Sequence, residues 1–121
     1  MRTAVVLAIG VAALSFTASA VAANGYCSST GDYCTSTARE GGAVFLRLST
    51  FSVTGRARIC VTDPASRRVC KTFPILPARR GTFKTKVRWH RNYPSGGPGR
   101  YRVGFFLGRT RLGPVLDFRI R

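Results

Sequence analysis

The chain has 121 residues, with 20 Lys and Arg against 4 Asp and Glu, a formal net charge of +16, and a single histidine. That length admits one domain with a modest core and excludes a second. One histidine and a few scattered carboxylates leave little for acid–base catalysis, and no G-x-S-x-G elbow, H-E-x-x-H pair or P-loop occurs.

Residues 1–23 read as a cleaved secretory signal peptide. Arg2 supplies a short positive start, residues 4–14 (AVVLAIGVAAL) are uncharged and apolar, and the stretch ends in small residues. Ala20, Ala22 and Ala23 all fit a cleavage site, with Ala23 favoured. The apolar run is well short of the roughly 20 residues that span a bilayer, and no later run is longer. The mature chain is therefore expected to be soluble, exported and free of a transmembrane segment.

Four cysteines follow, spaced C-x6-C (Cys27, Cys34) and C-x9-C (Cys60, Cys70). Structural zinc sites use shorter knuckles, and redox sites use C-x-x-C. Neither occurs, so no metal and no cofactor is expected, and an exported chain meets conditions in which cysteines pair. Four cysteines allow three pairings. Centring residues 56–73 as a hairpin on Ala65 places Cys60 opposite Cys70, within disulfide reach, and this selects Cys27–Cys34 and Cys60–Cys70.

Residues 24–42 are rich in Gly, Ser and Thr and read as a loop segment tied by the first disulfide, with a strand near Tyr33 the one exception considered. From 43 onward the hydrophobic period is two. Residues 43–53 put Val44, Leu46 and Leu48 on one face and Phe45, Arg47 and Ser49 on the other. Residues 56–73 form a hairpin around the turn chemistry of Asp63-Pro64-Ala65-Ser66. Its inward residues are Ala57, Ile59 and Val61, and Lys71 breaks the pattern, which suggests a bulge. Residues 83–89 put Phe83, Thr85, Val87 and Trp89 inward, with Lys84, Lys86 and Arg88 outward. Tyr101, Val103 and Phe105 face in against Arg100, Arg102 and Gly104. Leu116, Phe118 and Ile120 face in against Asp117, Arg119 and Arg121. Strict alternation is the pattern of antiparallel sheet with one wet face. The fold class expected is all-β, a small antiparallel immunoglobulin-like β-sandwich of six to seven strands over residues 43–121.

The run Pro98-Gly99-Arg100-Tyr101-Arg102-Val103 resembles the corner of fibronectin-III and immunoglobulin-like domains, with Tyr101 as the structural corner whose hydroxyl bonds back to the nearby backbone. The mature chain also resembles a group of small exported proteins of high-GC Gram-positive bacteria. The matching elements, in the same order, are Gly31-Asp32-Tyr33-Cys34, Ile59-Cys60-Val61, Val87-Arg88-Trp89 and Gly97-Pro98-Gly99-Arg100-Tyr101. That resemblance implies fold and export, and no activity. A weaker likeness is to the neocarzinostatin-type chromophore carriers, in which a disulfide closes a C-x9-C hairpin. This chain departs from them in its strong basicity and in carrying its other cysteine pair ahead of the sandwich.

Of the basic residues, all but Lys71, Lys84 and Lys86 are arginine. GC-rich coding favours arginine but does not explain the scarcity of acids. Such an excess repels itself, and an anionic partner would offset it. The sandwich topology puts the hairpin and the last two strands in one sheet. Their outward residues Arg56, Arg58, Arg68, Arg100, Arg102, Arg119 and Arg121 form the candidate anion-binding set. Arg47, Lys84, Lys86 and Arg88 cover the other sheet. Phe45, Phe51 and Phe106 fall on outward positions and are expected to be covered by the N-terminal loop. The expectation is a monomeric, non-enzymatic protein without catalytic residues. Its partner would be an anionic cell-envelope polymer or lipid head group, and charge could also hold it at the cell wall. Non-specific nucleic-acid binding in vitro is allowed by charge alone. Two alternatives are a small-ligand carrier and an exported inhibitor acting through the loop at 90–100.

Overall fold

A computed structural model describes residues 24–121; the signal peptide expected over 1–23 lies outside the described residues. Nine strands follow one another, almost all joined by short turns: β1 (Gly25–Cys27), β2 (Tyr33–Glu40), β3 (Ala43–Thr50), β4 (Gly55–Thr62), β5 (Arg68–Pro77), β6 (Phe83–Arg88), β7 (Gly99–Leu107), β8 (Thr110–Arg111) and β9 (Leu116–Ile120). One helical turn, α1 (Trp89–Asn92), leads out of β6. No helix among the described residues is long and apolar enough to cross a membrane.

Every pairing is antiparallel, and the strands form one curled sheet in the order β1-β2-β3-β6-β5-β4-β7-β8, with β9 also on β7. The sheet folds over at β5. The first part of β5 pairs with β4, and its end crosses to β6 through Leu76 opposite Lys84 and Pro77 opposite Phe83. Two leaves result. One holds β1, β2, β3 and β6. The other holds β5, β4, β7, β8 and β9, so the hairpin and the last two main strands share a leaf, as the sandwich topology predicts. Val44, Leu46, Leu48 and Val87 face Ala57, Ile59, Val61, Val103, Phe105 and Leu116 across the core. Trp89, Tyr101 and Phe118 pack as an aromatic group at one end, with Tyr101 stacked on Phe118 at 5.0 Å.

Four expectations are corrected. Residues 24–42 are not a loop: β1 and β2 occupy most of them and belong to the same sandwich. Thr35 and Thr37 point inward from β2 and are buried. β-branched threonine packs a methyl as valine does, but a hydrophobicity pattern passes over it. The strand count rises to nine because β1, β2 and β8 join. Trp89 starts a helical turn instead of ending a strand, yet stays buried; Tyr93 N donates to Trp89 O at 3.0 Å. Finally, no bulge is needed at Lys71, which sits opposite Ile59 in an unbroken ladder. There β5 is the edge of its leaf, so the lysine stem reaches past the core to water and its ammonium lies 5.8 Å from the Tyr93 ring.

Both disulfides are present, Cys27–Cys34 and Cys60–Cys70, each joining directly paired residues on neighbouring strands with Cα atoms 4.0 Å apart. Asp63, 8% exposed, organises the β4–β5 turn: its Oδ1 accepts from Ala65 N (2.9 Å) and Arg67 N (2.8 Å), and its Oδ2 from Arg67 Nε (3.1 Å). These donors, with Arg67's charge, hold its carboxyl below the usual aspartate range.

Candidate anion-binding face

Alternation fixes which side chains of the second leaf point away from the core, and the register sets them in rows. Arg68, Thr62 and Arg102 stand side by side on β5, β4 and β7. Two residues along, the next row is Cys70, Cys60 and Gly104. Beyond it come Thr72, Arg58, Phe106 and, across β7, Arg111 of β8. The middle row has no long side chain. A depression of about 310 Å³ opens there, lined by Cys60, Thr62, Arg68, Arg102, Gly104 and Phe106, with Arg111 and Val115 at its far side. No carboxylate lines it.

Arg58, at the margin of this depression, shares the Phe106 ring with Arg68, which lines it. Their guanidinium carbons lie 5.5 and 5.9 Å from the centre of the Phe106 ring. Arg58 also reaches the sulfur of Cys70 at 3.7 Å. Cation–π contact stabilises each guanidinium by about 0.5–1 kcal/mol at exposed sites. It does not neutralise charge, so two like charges are held near one ring.

The first leaf is built differently. Its outward Phe45 is also flanked by cations, with Lys86 Nζ at 4.7 Å and Arg88 at 5.8 Å. There, however, Glu40 takes Arg47 at 2.5 Å and Lys86 at 2.9 Å. The Lys86 hydrogen bond holds the Glu40 carboxyl below its ordinary range, so it stays ionised and offsets that face. Of the three outward phenylalanines, Phe51 is 60% exposed and is not covered by the N-terminal segment.

The structure thus divides the candidate arginines. Arg68 and Arg102 line the depression, with Arg58 at its margin beside Phe106. Arg56 lies further along β4, opposite Pro74. Arg100 is engaged by Asp117 at 2.8 Å. Arg119 and Arg121 line a separate groove along the seam between β2 and β9, where Thr37 Oγ1 donates to Asp117 O at 3.0 Å and the Arg39 guanidinium donates to Arg119 O. Arg111 completes the first set and was not among the sequence candidates. The Gly108-Arg109 turn between Leu107 and Thr110 is the signal that could have found it, because a two-residue turn opening with glycine returns the chain as a hairpin.

Tyr101 is fully buried; its hydroxyl donates to Gly97 O at 2.6 Å and accepts from Gly96 N at 2.9 Å. Tyr93 O–H donates to Ile59 O at 2.7 Å, and burial pushes that hydroxyl's pKa far up. A Cβ on Gly96 would meet the Asp63 carboxylate at 2.5 Å, so the 93–97 loop lies tight against the β4–β5 turn. The segment offered as an inhibitory loop is therefore held against the body at Tyr93 and at Gly96. Among the described residues, no group of three or more His, Cys, Asp or Glu is placed to hold a metal.

No protein family, curated protein or solved structure matches this chain.

Proposed function

We propose that the protein is an exported, non-enzymatic module that binds an anionic polymer or lipid surface of the cell envelope through the outer face of its second leaf. The observation that carries this is the convergence of Arg68, Arg102 and Arg111 on one depression with no carboxylate in its lining, flanked by Arg58 over the Phe106 ring. Guanidinium forks grip phosphate and carboxylate oxygens in pairs. Export is supported by the N-terminal pattern and by two disulfides in so small a domain.

The test is co-sedimentation of the protein with purified cell wall at low and high salt, with neutral polysaccharide as control. Binding is expected at low salt only. The double variant Arg68→Gln/Arg102→Gln should abolish most of it, while Lys84→Gln/Arg88→Gln, which removes the same charge from the other face, should keep most of it. No binding at low salt, or equal loss in both variants, sinks the reading.

The same depression supports one alternative, a carrier of a small ligand, since its volume falls at the low end for ligand pockets. Organic extraction of protein purified from its own culture medium separates the two: a stoichiometric bound compound favours the carrier.

A further inference from the structure

Resting on that reading, we infer that the depression is a trough for a single unbranched chain carrying phosphodiesters in its backbone. The chain lies across β4 and β7 toward β8 and passes over Cys60 and Gly104.

Gly104 is the first reason. It sits inside a central strand, where glycine weakens the ladder and leaves nothing to pack. Its backbone is not among the left-handed residues, so its conformation does not call for glycine. What the missing side chain provides is room for the Phe106 ring to lie low against the sheet: a Cβ there would stand 3.1 Å from it. Opposite Gly104 is Cys60, so the floor running over β4 and β7 toward β8 carries no long side chain of its own, while the Arg58 guanidinium, 3.7 Å from the Cys70 sulfur, closes it at β5. Strand spacing makes this floor about 10 Å long, and the flanking rows stand about 13 Å apart along the strands.

The walls are the second reason. Arg68 and Arg102 rise on one side and Arg111 on the other, with Arg58 at the β5 end. A phosphodiester running along the floor directs its two free oxygens sideways, one toward each wall, while its bridging oxygens continue the chain. A carboxylate hung from a sugar ring presents both oxygens in one direction and can use only one wall. A bilayer meets the arginine tips at the rim and does not enter a floor recessed below them.

Binding should be measured with the secreted protein, disulfides intact, against a synthetic glycerol phosphate oligomer. A galacturonate oligomer of equal charge and phosphatidylglycerol vesicles serve as comparisons. Gly104→Val and Thr62→Leu each fill the trough without changing charge. Thr62→Leu does so from β4, away from the Gly104–Phe106 contact, and decides alone if Gly104→Val fails to fold. The glycerol phosphate oligomer should bind tightest of the three, and either filled variant should weaken it by about tenfold or more with an unchanged circular dichroism spectrum. Wild-type affinity in the folded variants would overturn the trough while leaving an anion site at the rim. Equal or tighter binding of galacturonate or vesicles would overturn the phosphodiester assignment. Failure of all three probes to bind would remove both this inference and the function on which it rests.

Discussion

Asp63 shows how much one carboxylate does in a chain so short of them. It closes its own turn through three hydrogen bonds and supports Gly96 from the neighbouring loop. Its pKa is lowered in the folded protein, chiefly by the Arg67 backbone N–H. The sign follows from linkage: a depressed folded pKa gives stability that is present above the unfolded value, about 3.9, and is lost as pH falls through the folded one. Melting temperature should therefore drop in the acid range below about pH 4, and Asp63→Asn should lower it at pH 7 and flatten that acid slope. A slope unchanged in Asp63→Asn would move the acid sensitivity to Glu40. Tyr101 is the second residue of this kind. Tyr101→Phe leaves Gly96 N–H without its acceptor and Gly97 O without its donor. A loss of about 1–3 kcal/mol in denaturant unfolding is expected, with the 93–97 loop the first segment to exchange its amides.

Among the elements, β2 separates what could be read from sequence from what could not. The strands β3, β4, β6, β7 and β9 announce themselves because Leu46, Ile59, Val87, Val103 and Phe118 are plainly apolar at alternate positions. β2 buries Thr35 and Thr37 in the same geometry, and threonine looks like loop in a segment full of glycine and serine. The two threonines are not equivalent. Thr35 Oγ1 is buried without a hydrogen-bond partner, whereas Thr37 Oγ1 bonds Asp117 O across the seam to β9. Thr35→Val should stabilise the fold by about 1 kcal/mol, since it replaces an unsatisfied hydroxyl by a methyl of similar size. Thr37→Val should destabilise it by about 1 kcal/mol and loosen the seam. Equal effects of the two substitutions in chemical denaturation would show that the β2–β9 closure contributes nothing. The candidate site was legible to the same degree. Alternation gives the outward side of Arg58, Arg68 and Arg102. It cannot show that Asp117 would engage Arg100, that β8 would bring Arg111 alongside, or that Gly104 would leave the floor open, because those depend on cross-strand neighbours.

At the scale of the whole molecule, charge and fold oppose each other. A net +16 on 121 residues repels itself, and the described residues offer four ion pairs to offset it, two of them on Glu40. Two disulfides and the folded-over sheet hold the chain together despite it. Simple screening and specific binding then make different predictions. Sodium chloride acts on all exposed charges alike through the Debye length, about 10 Å at 0.1 M. It should raise the melting temperature gradually in wild type and, slightly less, in Arg68→Gln/Arg102→Gln, which carries two fewer positive charges. On the proposed reading, a phosphate-bearing anion such as tripolyphosphate should bind the folded protein alone, because only folding brings Arg58, Arg68, Arg102 and Arg111 together. Its stabilisation should follow mass action, about 2.7 kcal/mol when its concentration is a hundred times its dissociation constant. At matched ionic strength, tripolyphosphate should therefore raise the wild-type melting temperature well beyond chloride, and the double variant should lose that surplus while keeping the chloride response. If the surplus survives the double substitution, the stabilising anion is held elsewhere, and the groove at Arg39, Arg119 and Arg121 becomes the place to look.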